Sequence, residues 1–338
     1  MNCLLLYLNR LTLSLPFNSV AAIDFESKKK FETKHQMLHR LQEGISFGDG
    51  RDYTVAEYQR VASERTNAWK RAHYPDHDLL SRHTETANAS TDRKLLTPEN
   101  LERDYWDIVE MQKEVAVEYG NDVDTQVFGS GFPLSERGRS INGTINVEKM
   151  GLPEPAYGTE DYYKETYWNL NNIPCAPDSV LRHVKVGING INVPWVYYGS
   201  LFTTFCWHNE DNHLYSINYH HKGAPKQWYG VPGTSTAADG LEKVFKSYLS
   251  MKMRDVPDLL HHITTMFSPR LLQNANVPVY KTLQYEGEFV ITFPRAFHGG
   301  FSLGPNMGEA VSRMTLLVTY CRSIAKNAHD HDEIAFFF

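Results

Sequence analysis

A chain of 338 residues with 41% hydrophobic and 22% charged side chains, 22 Gly and 16 Pro is long enough to bury a substantial core, and its composition is neither disordered, collagen-like nor membrane-embedded. Its 40 acidic against 34 basic residues give a formal charge of -6, a balance that argues against holding DNA through its phosphates and favours a cationic partner. The four cysteines, Cys3, Cys175, Cys206 and Cys321, are scattered without a CxxC pair, which excludes a disulfide framework or a structural zinc site and points to a reducing compartment.

The first 22 residues are apolar, but Asn9 and Arg10 interrupt the run and no basic residue precedes it, so they do not read as a secretory signal. No run of about 18 apolar residues exists, and no segment is expected to span a membrane. Residues 1–45 are expected to form a poorly ordered lead-in, polar and charged from residue 23 and carrying the single basic cluster Lys28-Lys29-Lys30. A helical part packing on the following domain is expected over 46–180. There Thr54 and Glu57 make a capping box for a helix over 54–72, with Val55, Tyr58, Val61, Ala62 and Trp69 at helical spacing. A polar loop at 80–94 separates it from a second helix over 97–116, opened by Thr97-Pro98, with Leu101, Tyr105, Ile108 and Val109 on one face.

From about residue 183 the hydrophobic period changes from helical to alternating. Strands are predicted near 183–188, 193–198, 201–208, 214–220, 226–231, 279–283, 288–293 and 309–318, with Asn189-Gly190 as a hairpin signal between the first two. One helix interrupts them at 235–249, and short helical turns are predicted at 257–263 and 268–274. The class is therefore mainly β, a double-sheet jelly roll of the cupin-like, double-stranded β-helix kind with an N-terminal helical region, the barrel occupying 181–320 and a tail 321–338.

His208 and Glu210 stand two apart in a predicted strand, so both face one side and can share a metal. About two such His/acid pairs are expected by chance in this composition, and His83 with Glu85 and His331 with Glu333 have the same spacing in polar surroundings. Only His208 lies in an aromatic β run, FTTFCWHNED, where a buried imidazole and carboxylate need a cationic partner. The alternative at this point is a satisfied core histidine. His298, in RAFHGGF, supplies a third donor, and two His with one carboxylate is the facial triad of non-haem Fe(II) oxygenases. Zinc is the rival, although its His2Glu sites usually place HExxH on a helix. Ser216 and Asn218 share a face of one strand, Lys226 and Trp228 a face of the next, and Phe205 and Tyr119 are candidates for the same cavity. A buried lysine needs an anion, which the distal carboxylate of 2-oxoglutarate would provide; the alternative is a solvated strand-end lysine.

Together FCWHNEDNHLYSINYHHKGAPKQWYGVP, GEFVITFPRAFHGGF and GEAV resemble the jumonji C (JmjC) family of Fe(II)- and 2-oxoglutarate-dependent oxygenases. Upstream, LERDYWDIVEMQKEVAVEYGNDVDTQVFGSGFP, YWNLNNIP and VPWVYYGSLFTTF resemble one branch, lysine demethylase family five, which acts on methylated lysine 4 of histone H3. The resemblance runs from about Phe47 to Ser312 and implies that His208, Glu210 and His298 bind iron. It further implies that Tyr119 and Lys226 hold the distal carboxylate of 2-oxoglutarate, that Phe205 packs on it, that Asn218 and Ser216 contact its metal-binding end, and that Trp228 walls the pocket. Tyr197 would face the methylated ammonium of the substrate, although Tyr198 beside it is equally placed to do so or to pack. The implied cofactors are Fe(II), 2-oxoglutarate and O2, the implied partners the methylated histone H3 tail and chromatin complexes, and the implied location the nucleus.

Two positions depart from the branch. Ser302, four residues after the last iron ligand and next to the expected substrate site, and Ser312, two residues after the Ala-Val pair, stand where the branch has Asn. The JmjN, ARID, PHD and cysteine-rich zinc domains of the relatives are not recognisable in this sequence, so no direct DNA-binding domain is expected. Two other readings stay open, a JmjC protein hydroxylase acting on an unmethylated side chain and a catalytically weak or inactive JmjC chromatin-binding module.

Overall fold

In the computed structural model the described residues are 5–8, 28–44, 47–75, 95–134, 155, 159–176, 179–249, 265–313 and 334–337. The helical turns predicted at 257–263, the polar loop at 80–94, and His83 and His331 lie outside them. Among the described residues thirteen strands form two antiparallel sheets. They are β1 (Leu5–Leu8), β2 (Phe31–Met37), β3 (Gly48–Tyr53), β4 (Ala116–Asp124), β5 (Trp195–Gly199), β6 (Thr204–His208), β7 (Tyr215–Gly223), β8 (Lys226–Val231), β9 (Tyr280–Gln284), β10 (Phe289–Thr292), β11 (Phe297–Ser302), β12 (Asn306–Arg313) and β13 (Ile334–Phe337). The nine-stranded sheet runs β13-β1-β10-β7-β12-β5-β4-β2-β3 and the four-stranded sheet β6-β11-β8-β9.

Helices cover the outer faces because alternation puts apolar residues there. Helix α1 (Val55–His73), closed at its start by the reciprocal Thr54/Glu57 capping box, lays Val55, Tyr58 and Ala62 on Phe31, Val123, Val196 and Tyr198 of the large sheet. Helix α2 (Pro98–Glu110) and helix α3 (Ser235–Tyr248) bury Tyr105, Ile108, Leu241 and Phe245 against Trp207, Tyr229 and Phe301 of the small sheet. Tyr105 stacks on Phe301 with ring centroids 3.8 Å apart. Residues 168–173 cover the remaining outer surface, where Trp168, Leu170 and Ile173 pack on Ile217, Tyr219, Phe289 and Ile291. The inner faces are left for Ser216, Asn218, Lys226 and Trp228.

Several expectations are corrected. The architecture is mixed α/β with two antiparallel sheets rather than mainly β. Residues 31–43, assigned to a poorly ordered lead-in, form β2 and a 3-10 helix, and the part expected to be helical contributes β3 and β4 to the large sheet. Their alternation is masked because their outward residues are charged and pair locally, as Lys34 does with Glu32 and Asp49. The stretch 183–188 is not a strand: Val180–His183 is a 3-10 turn, and Asn189-Gly190 makes an isolated bridge to Val193 instead of a hairpin between strands. The second helix ends at Glu110 instead of 116, and β4 begins at Ala116. Strand β11 was not foreseen, and the last strand starts at Asn306 instead of 309.

Glu118 ties the N-terminal strands to α1. Its buried carboxylate accepts from Arg51 at 2.7 and 2.9 Å and from the Tyr53 hydroxyl at 2.7 Å, with Arg65 at 3.2 Å. The Arg51 hydrogen bonds outweigh burial and pull its pKa down to about 2 from 4.5. Because the folded value lies below the unfolded one, the stabilisation is complete above about pH 4.5 and disappears as the pH falls through about 2. Replacing Glu118 with Gln is expected to cost about 3 kcal/mol at neutral pH, read by denaturant unfolding, and to flatten stability between those two pH values. A variant as stable as the parent would show that the clamp contributes nothing.

Candidate metal centre

The three metal-ligand candidates converge because β6 and β11 are antiparallel neighbours with His208 directly opposite His298. Their rings lie 4.2 Å apart. Glu210 follows β6 and brings Oε1 to 3.5 Å from His298 Nε2. The donor atoms of His208, Glu210 and His298 all lie within 4.8 Å of one another, the one such cluster among the described residues.

Each imidazole is oriented by its own strand. His208 Nδ1 lies 2.7 Å from the Cys206 carbonyl oxygen and His298 Nδ1 lies 3.0 Å from that of Ala296. A carbonyl only accepts, so Nδ1 carries the proton and Nε2 presents a lone pair. Burial in the surrounding protein, and then the second imidazole, push the His208 pKa down to about 4. His208 is nonetheless exposed through the pocket mouth, while His298 is buried. Burial would raise Glu210, but the contacts with His298 and His208 override it and hold the carboxyl at about 2. Two imidazoles presenting Nε2 and one carboxylate make a donor set that fits Fe(II) and leaves coordination positions free. Ser312, paired with Ser216 across β12 and β7, donates a long 3.4 Å hydrogen bond to Glu210 Oε2.

The cluster opens into a cavity of about 330 Å³ lined from both sheets, by Tyr119, Tyr197, Ser216 and Asn218 on one side and Phe205, Lys226 and Trp228 on the other. Ten of the eleven candidates chosen from sequence line it. Ser302 does not: it is buried opposite Lys226 in the β11–β8 ladder, with its hydroxyl close to Gly199. Lys226 is 2% exposed, and among the described residues no carboxylate stands within ion-pair distance of its ammonium. Burial alone lowers its pKa to about 8, and its ammonium lies over the Tyr197 ring, 5.7 Å from the centroid. A charge so placed fits an anionic ligand entering the cavity.

Sequence reasoning missed the residues that hold these side chains. The Gln284 amide accepts from Trp228 Nε1 at 2.9 Å and donates to Asn218 Oδ1 at 3.1 Å, and Thr292 shares a 2.5 Å hydrogen bond with Ser216. Asn121 and Asp122 also line the cavity. They sit where the β4–β5 register shifts, Asp122 has φ of 55°, and its carboxylate accepts from the Asn121 side-chain amide. Their only sequence signal was a polar pair inside a strand.

Residues 195–312 match the family described as JmjC domain, hydroxylase. The chain is 40% identical over 290 residues to "Lysine-specific demethylase JMJ703" of Oryza sativa subsp. japonica, covering 85% of this chain and 21% of that protein. It is 37% identical over 303 residues to "Putative lysine-specific demethylase JMJ16" of Arabidopsis thaliana, covering 86% and 23%. To "Lysine-specific demethylase JMJ17" of the same plant it is 46% identical over 218 residues, covering 64% and 17%. The chain thus spans about a fifth of the length of these relatives.

His208→Ala and Glu210→Ala are each expected to abolish stoichiometric Fe(II) or Mn(II) binding while the far-UV circular dichroism spectrum persists, because each removes one of three donors. Metal analysis of the purified variants checks this. Full metal occupancy in His208→Ala would displace the centre from these residues.

Proposed function

This chain belongs to the JmjC-domain family, and on that premise we propose that it is an Fe(II)- and 2-oxoglutarate-dependent histone lysine demethylase acting on methylated lysine 4 of histone H3. The observation that carries the reading is one cavity with a His-Glu-His donor set and a buried ammonium lacking a carboxylate partner among the described residues. The relatives' names support lysine demethylation. The same reading favours a double-stranded β-helix closure of the two sheets, a nuclear location and the methylated H3 tail as partner.

When bound, Fe(II) with 2-oxoglutarate and O2 supplies oxidative hydroxylation of the N-methyl carbon, with succinate and CO2 as co-products and formaldehyde released from the resulting hydroxymethyl amine. In this proposal His208, Glu210 and His298 hold the metal, and Lys226 and the Tyr119 hydroxyl hold the distal carboxylate of the cosubstrate. Phe205 and Trp228, whose rings are 4.6 Å apart, form its apolar wall and exclude water. Asn218 and Ser216, fixed by Gln284 and Thr292, contact its metal-binding end. Tyr197 offers an aromatic face to the substrate cation; that face is already approached by Lys226, so the substrate ammonium meets it from the mouth, beside Asp122. Ser302 acts from behind, packed against the Lys226 strand instead of touching substrate.

The test is mass spectrometry of trimethylated, dimethylated and monomethylated H3 lysine-4 peptides incubated with the protein, Fe(II), ascorbate and 2-oxoglutarate. Products one or more methyl groups lighter, with formaldehyde, are expected; addition of oxygen to an unmethylated peptide would instead support a hydroxylase, and no turnover a binding module. Lys226→Ala should raise the 2-oxoglutarate requirement about thirtyfold, a loss of about 2 kcal/mol, with little change for peptide. Because the Lys226 ammonium is lost above about pH 8, 2-oxoglutarate affinity should fall as the pH rises beyond it, levelling off near the affinity of the alanine variant, about thirtyfold down, while the alanine variant itself does not change. A parent affinity flat to pH 10 would remove Lys226 from the cosubstrate.

A further inference from the structure

His220 is a buried titratable group that the proposed chemistry leaves unused. It lies on the inward face of β7 with Ser216 and Asn218, is 0% exposed, and neither ring nitrogen has a hydrogen-bond partner among the described residues. The backbone at Gly223 and Ala224 approaches the ring only outside hydrogen-bond geometry, and burial followed by the Lys226 charge pushes its pKa down to about 3. The imidazole is therefore neutral, with one N–H and one lone pair to satisfy. Leaving both unmet inside a protein is costly and rare.

The neighbouring strand shows where a partner fits. Gly308 stands directly opposite His220 across β7 and β12, so a side chain there would share the face of His220. A Cβ on Gly308 would come 3.1 Å from Lys226 Nζ and 3.7 Å from Asn218 Oδ1. The glycine leaves a slot on the His220 face of the sheet, bounded by the ammonium, the Tyr219 carbonyl oxygen and an amide oxygen. Three polar atoms converge where the glycine carries no side chain, and a polar site of this kind is one that water occupies.

We propose that His220 is a positioning residue of the cosubstrate pocket, linked to Lys226 by an ordered water in the Gly308 slot. The ammonium donates to the water oxygen and the water donates to the imidazole lone pair. A neutral imidazole suits this task better than a carboxylate would, because it fixes the direction of the Lys226 ammonium without cancelling the charge that an incoming dicarboxylate requires. The inference rests on the 2-oxoglutarate reading of the pocket and adds to it a residue that never touches the ligand.

The experiment uses the full chain with Mn(II) under nitrogen, titrated calorimetrically with 2-oxoglutarate, in the parent and in His220→Leu, His220→Met and His220→Gln. The two apolar variants are expected to bind 2-oxoglutarate about tenfold more weakly, and the Gln variant, which still accepts a hydrogen bond, within about threefold of the parent. Mn(II) affinity and melting temperature should stay at or above parental values in all three. Parental 2-oxoglutarate affinity in the apolar variants would overturn the inference. So would an equal loss in the Gln variant, or a loss matched by falling Mn(II) affinity or melting temperature, which would mark a structural role. A parent that binds Mn(II) but not 2-oxoglutarate would overturn the cosubstrate reading itself, and this inference with it.

Discussion

The pairing of His208 with His298 across β6 and β11 is the constraint on which the site depends. Direct antiparallel partners put their side chains on one face, about 5 Å apart at Cβ, close enough for two imidazoles to share an ion. The pairing also requires the irregularity beside it: between His298 and Gly300 the ladder shifts, so that Gly300 opposes Phe205 while His298 opposes His208. The extra residue on β6 keeps Phe205 and His208, three apart, both facing the cavity. Glycine is needed at 300 because a Cβ there would fall 2.0 Å from the Gln227 carbonyl oxygen and 2.6 Å from the Phe205 ring.

The two ends of the cavity are built by different means. At the metal end each imidazole is held by the carbonyl two residues before it, Cys206 for His208 and Ala296 for His298. Ligand direction there follows from strand geometry, with no distant side chain needed. Between the metal and the cationic end, the positions of Asn218 and Trp228 depend on Gln284, which bridges β7 and β8 from β9. The cationic end holds a buried charge and a neutral imidazole in the protein interior, a cost offset by the aromatic packing of α1, α2 and α3 on the outer faces of both sheets.

What could be read from sequence divides along the same line. Strands β5, β7, β8, β9 and β10 alternate clearly because one face is apolar, and α1 and α2 carry caps and a stripe at helical spacing. His208 and Glu210 were legible as a pair since period two is a local property. Strand β11 was hidden because AFHGGF follows Pro294-Arg295 and contains two glycines, which read as a turn; the glycines serve close packing against β6 and β8 instead. Strands β2 and β3 were hidden by their charged outward faces. Gln284 carried no signal, since its partners Asn218 and Trp228 are 66 and 56 residues away and an isolated glutamine in a strand looks like a solvated side chain. His220 carried no signal for the same reason: only the register that sets it opposite Gly308 shows what it adjoins.

The unequal construction has a physical consequence for how the pocket is kept ready. The Lys226 ammonium, held charged below about pH 8 without a carboxylate in reach, raises the free energy of the unliganded fold, and an anion that pairs with it relieves that burden. A carboxylate supplied by the protein would have removed the burden permanently and, with it, the attraction for the ligand. Neutral neighbours avoid this: the Tyr197 ring, the Asn218 amide oxygen beside the Gly308 slot and the uncharged His220 place the ammonium while leaving its charge unspent. Of the acidic side chains in the cavity wall, Asp122 accepts from the Asn121 side-chain amide and Glu210 is engaged by the histidines. Negative charge is thus held at the metal and at the mouth, where cations are expected, and kept from the inner end, where an anion is.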